Sequence, residues 1–98
     1  MQTFVVECYW PGIIEDDARA TLDLVVRLSE EALPGEGVRL LGCIVVPSDG
    51  MALFLFHAPS ESMVNDISRW AEVPFDRIVQ SVYIGWCYRP GVPRPGGW

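Results

Sequence analysis

The residues in this sequence best suited to chemistry are one histidine and one glutamate, His57 and Glu7. Histidine is the side chain whose ordinary pKa lies nearest neutrality, so His57 can serve as a base, an acid or a ligand. If Glu7 shares its face, the carboxylate orients the imidazole and leaves the second ring nitrogen free for proton transfer. Tyr9, Trp10, Tyr83 and Trp86 then supply aromatic walls for an apolar organic ligand. A plainer arrangement is also open. Glu7 pairs with an arginine such as Arg39 or Arg77, and His57 sits at a strand end half in water. As a metal ligand His57 stands alone, and a site would need cysteine or carboxylate help, or a second His57 across a dimer axis.

Other chemistries lack their signatures. The net charge is −6, and the seven basic residues are all arginine, scattered among acids, so a nucleic-acid footprint is missing. Without lysine there is no Schiff-base nucleophile. Cys8, Cys43 and Cys87 are odd in number and widely spaced, which suggests buried or semi-buried free thiols, Cys8 and Cys43 inside strands, rather than a disulfide framework or a zinc site. A reactive thiolate needs nearby positive charge or a helix N-terminus, which neither Cys8 nor Cys43 has in sequence. Phosphate-binding glycine patterns and a serine nucleophile elbow are absent, and no cofactor is expected. The apolar runs are far shorter than the roughly 20 residues of a membrane span, and the N-terminus has no signal-peptide pattern, so a cytoplasmic protein is expected.

The elements that must position these residues follow from periodicity. Thr3 to Tyr9 alternates as a strand, with Phe4, Val6 and Cys8 on one face and Val5, Glu7 and Tyr9 on the other. Trp10-Pro11-Gly12 ends it. From Glu15 the period lengthens, Ala18, Leu22, Val25, Ser29 and Ala32 form a helical stripe, and Glu15, Asp16 and Asp17 place negative charge at the helix N-terminus. Val38 to Val46 and Met51 to Ala58 read as strands joined by the turn Pro47-Ser48-Asp49-Gly50. Ser60 is the natural N-cap of a second helix, whose apolar stripe is Met63, Val64, Ile67, Trp70 and Ala71, with Trp70 expected in the core. Arg77 to Tyr83 returns to strand character.

The order βαββαβ predicts an α+β, ferredoxin-like domain over residues 1–88: a four-stranded antiparallel sheet with two helices on one face, strands one and three central. Strands one and three are expected to run parallel, which would bring Glu7 and His57 to one sheet edge. Residues 89–98 form a Pro/Gly-rich tail without period, either a free end or an arm on a partner. Half of the residues are hydrophobic and the mean hydropathy is +0.23, so some apolar surface is expected to be covered by a second copy, in an assembly of the dimeric α+β barrel type.

Several short stretches in this order resemble a known family. They are Val6-Glu7 with Tyr9-Trp10-Pro11-Gly12, Gly37-Val38, His57-Ala58-Pro59, and Val73-Pro74-Phe75-Asp76-Arg77-Ile78. Together they are similar to the small actinobacterial ferredoxin-like proteins described as nickel-binding, otherwise a domain of unknown function. The resemblance implies this fold, a dimer and metal binding, for which His57 is the one imidazole the chain has available. Where family members carry histidine in the second strand and second helix, this chain has Gly42 and Ile67, so weak nickel binding or none is expected. Two function classes follow: a dimeric binding protein for a small organic ligand, or a cofactor-free isomerase, cyclase or monooxygenase of secondary metabolism. The second rests on fold analogy. Neither involves nucleic acid or membrane.

Overall fold

Phe54 and Leu55 are consecutive, yet one is 1% exposed and the other only half-buried, and the whole segment Met51–Ala58 alternates in this way. Such alternation is what a strand produces when one face is packed and the other is not. The computed structural model describes residues 2–32, 35 and 37–84. Its elements are β1 (Gln2–Tyr9), α1 (Glu15–Ala32), β2 (Arg39–Val46), a short 3₁₀ turn (Pro47–Asp49), β3 (Met51–Ala58), α2 (Glu61–Trp70) and β4 (Phe75–Ser81). They build one four-stranded antiparallel sheet in the order β2-β3-β1-β4. This is the α+β ferredoxin-like βαββαβ arrangement, with β1 and β3 central and β2 and β4 at the edges. The tail 89–98, Trp86 and Cys87 lie outside the described residues.

Both helices pack on the same face, α1 over β2 and α2 over β3 and β4. Phe4, Val6 and Cys8 from β1, and Ala52, Phe54, Phe56 and Ala58 from β3, meet Ala18 and Val25 of α1 and Val64 and Ile67 of α2. Leu40, Cys43 and Val45 of β2 and Ile78 of β4 extend this layer at its margins. On α2 the buried stripe is Val64, Ile67, Ser68 and Ala71, at the i, i+3, i+4, i+7 spacing of a single helical face. Trp70, expected in the core, is instead 49% exposed. It falls on the flank of that stripe, and the small Ser68 takes the core position, its hydroxyl buried with no hydrogen-bond partner.

Local capping accounts for the ends of the second helix and of the hairpin. The Ser60 hydroxyl accepts from the Met63 N–H at 3.4 Å and caps α2. Glu72, at φ 55°, closes it in the left-handed position, with the Val73 N–H donating to the Ser68 carbonyl at 2.9 Å and the Glu72 N–H to Arg69 at 3.0 Å. In the β2–β3 turn, Gly50 adopts φ 60° and its carbonyl accepts from the Trp10 N–H at 2.6 Å. A Cβ at position 50 would stand 3.1 Å from the Pro11 Cα, so glycine serves both the turn and the close approach of β1's end.

One expectation about direction is overturned. β1 and β3 are antiparallel, not parallel. The crossover through α1 returns β2 parallel to β1, and the tight hairpin then reverses β3. No helix among the described residues is long and apolar enough to cross a membrane.

Candidate functional site

The sheet face away from the helices carries Glu7, His57 and Tyr9. Cross-strand register sorts it into transverse rows. The first row is Arg39, His57, Thr3 and Ser81, one residue from each strand in spatial order. The next is Gly42, Leu55, Val5 and Val79, and after it come Ile44, Leu53, Glu7 and Arg77. Val46, Met51 and Tyr9 close the far end. Two irregularities hold this layout: an extra residue in β2 at Leu41, and a register shift in the β1–β4 pairing between Glu7 and Cys8. At the second, the Asp76 carboxylate accepts from the Tyr9 N–H.

Glu7 and His57 are not neighbours. His57 stands opposite Thr3 and Glu7 opposite Leu53, four residues further along β1. At strand rise this separates their backbones by about 13 Å. Instead the Glu7 Oε1 accepts from the Arg77 Nε at 2.8 Å, the directly opposite residue on β4. Glu7 holds the Arg77 guanidinium further above its usual pKa, through the hydrogen bond first and the charge second. Of the two arginines considered for Glu7, Arg77 is the partner, and Arg39 lies beside His57.

The aromatic wall is likewise dispersed. Tyr9 is 62% exposed on the open face, whereas Trp10 packs against the helix-side core, both at the Met51 end of the sheet. Tyr83 follows Ser81, at the opposite end, and Trp86 is outside the described residues. Sequence reasoning missed Arg39 and Thr3 as companions of His57. Only cross-strand register could have found them, because positions 3, 39 and 57 have no local relationship.

The thiols sit on the covered side. Cys8 is fully buried, and burial first, then the nearby Asp76 charge, pushes its pKa up to about 12. Burial also raises the Cys43 thiol. Both are free and protonated at neutral pH, as inert strand thiols should be. Among the described residues no three His, Cys, Asp or Glu side chains gather as a metal site. Arg39 beside His57 adds a positive charge there, which favours an anion over a cation. Gly42 lies on the open face next to Leu55, and Ile67 is wholly buried in α2.

No protein-family model matches the sequence, and no curated protein does. Among solved structures, the chain is similar to the Streptomyces coelicolor A3(2) protein SCO4226, with a TM-score of 0.72 and 18% sequence identity over 85% of this chain and 99% of that one. At this identity the likeness is one of fold: an α+β ferredoxin-like sheet of four antiparallel strands backed by two helices.

Proposed function

We propose that this protein is a small dimeric binding protein, whose open sheet face holds a small organic ligand and is covered by a second copy. The observation that carries this reading is the apolar character of a face on which no helix lies. Val5, Ile44, Val46, Leu53, Leu55 and Val79 form a continuous patch across all four strands, and Ile44 is 53% exposed. Four strands of this length span roughly 19 by 26 Å. The whole face, about 500 Å², matches the roughly 300–600 Å² of the largest patch on a typical monomer, which is often functional, and it is about three fifths of the ~800 Å² per partner of a standard interface. Gly42 carries no side chain beside Leu55, and no atom lies within 4 Å of where its Cβ would be, so the face is open at that point.

The acid–base pair that an enzymatic reading needs is separated by the sheet register, so binding is the better supported class. Light scattering at tens of micromolar, with native mass spectrometry of the untagged protein, tests the proposal. The expected result is a dimer carrying an organic molecule of small mass. A monomer without bound mass would overturn it.

A further inference from the structure

We infer that the open face selects an apolar carboxylate, with the head held by Arg39, His57 and Thr3 and the tail lying along Leu55, Val5 and Val79. This rests on the open face being the ligand-binding surface, and it names the chemistry of the ligand.

The first transverse row supplies the head site. Arg39, His57 and Thr3 are directly opposed across β2, β3 and β1, which sets neighbouring Cβ atoms about 5 Å apart on one face. The row contains no acid. Among the described residues Arg39 makes no ion pair, while the other cation of this face, Arg77, is already neutralised by Glu7 at 2.8 Å. Ser81, at the end of the row, donates its hydroxyl to the Val79 carbonyl at 3.0 Å and so offers the ligand only an acceptor. One fixed positive charge, with imidazole and hydroxyl donors beside it, matches a monoanion. A guanidinium fork fits a carboxylate through two parallel hydrogen bonds, whereas a phosphate dianion would call for more positive charge.

The second row sets the rest of the molecule. Leu55, Val5 and Val79 are apolar, and Gly42 leaves room beside them. The third row ends the apolar path about 13 Å from the head, and there the mutually neutralised Glu7–Arg77 pair offers no free charge to a second carboxylate. The ligand therefore lies with its head toward Arg39 and a medium-length aliphatic or arylalkyl body toward Leu53. The chain as a whole is acidic, at −6, so this row is a local exception to its field.

Decanoate and decanol, matched in tail and different in head, can be titrated calorimetrically into the full-length protein and into Arg39→Ala and Arg39→Gln. Decanoate should bind the native protein about tenfold or more tightly than decanol, as one charge-assisted hydrogen-bonded head requires. Both substitutions should erase that difference, leaving decanoate bound no more tightly than decanol, with the melting temperature unchanged, since Arg39 is exposed. Equal affinity for the two probes in the native protein would overturn the carboxylate assignment and leave the open-face reading standing. Tighter binding of decyl phosphate than of decanoate would also overturn it. Failure of all three probes to bind would remove the open-face reading as well.

Discussion

The two faces of one sheet differ in almost everything that decides what a residue contributes. On the helix side, Phe4, Phe54 and Phe56 are 2% exposed or less and lock β1 and β3 beneath α1 and α2. On the other side the same two strands present Val5, Leu53 and Leu55, equally apolar in type but left half-buried, together with Glu7 and His57. Composition alone does not separate these faces. What separates them is whether a helix has returned over them, so the covered face carries stability and the open one is available for recognition.

The sharpest way to break this comparison is to truncate two consecutive residues of β3. Phe54→Ala should cost about 3 to 5 kcal/mol, through lost burial and the cavity left under α2. Leu55→Ala should cost less, about 1 to 2 kcal/mol at concentrations low enough to keep the chain monomeric, because that side chain keeps part of its surface in solvent and its loss leaves no closed cavity. Chemical denaturation of both variants measures the contrast. Equal costs in the dilute protein would mean that the open face is covered within a single chain.

The thiols offer a pH test of the covered face. An unfolded Cys8 ionises near the ordinary value of 9.0, whereas the folded one holds its proton up to about 12. Between those values the unfolded chain binds fewer protons than the folded one, so stability falls as pH rises through this window and is fully retained below it. Cys43, raised in the same direction, adds to the slope. Urea midpoints measured from pH 8 to pH 11 should therefore decline, and Cys8→Ala should flatten the decline. An unchanged slope in that variant would place Cys8 in contact with water.

The smallest effect is expected on the open face itself. The Glu7–Arg77 pair is a cross-strand ion pair whose arginine is mostly exposed, so Glu7→Gln should cost only about 0.2 to 1 kcal/mol. A double-mutant cycle with Arg77→Ala isolates the coupling. A coupling well above that range, growing with protein concentration, would show that a second copy shields the pair.

Much of this architecture was legible in local pattern. The alternation of Phe4, Val6 and Cys8 against Val5, Glu7 and Tyr9, the Ser60 cap, the Gly50 turn and the stripe of Val64 and Ile67 are all set within a few residues. They specified the element order, and with it the fold. Face membership within β1 was equally plain, because a side-chain period of two needs no partner, whereas the extra residue at Leu41 interrupts that period in β2. Trp70 was harder, since an aromatic beside a helical stripe is core or flank according to how the helix is rotated against the sheet, and α2 is rotated to bury Ser68 instead.

By itself, then, the sequence determined the elements, their order and the inward set of β1, all consequences of short-range periodicity and turn chemistry. Only the tertiary structure decided which outward residues meet. Register across β1, β3, β2 and β4, adjusted by the irregularities at Leu41 and beside Asp76, gave Glu7 to Arg77 and set His57 between Arg39 and Thr3. Those partners are brought together by pairing between segments far apart in the chain. A shift of one residue in any strand would turn each of its side chains to the other face.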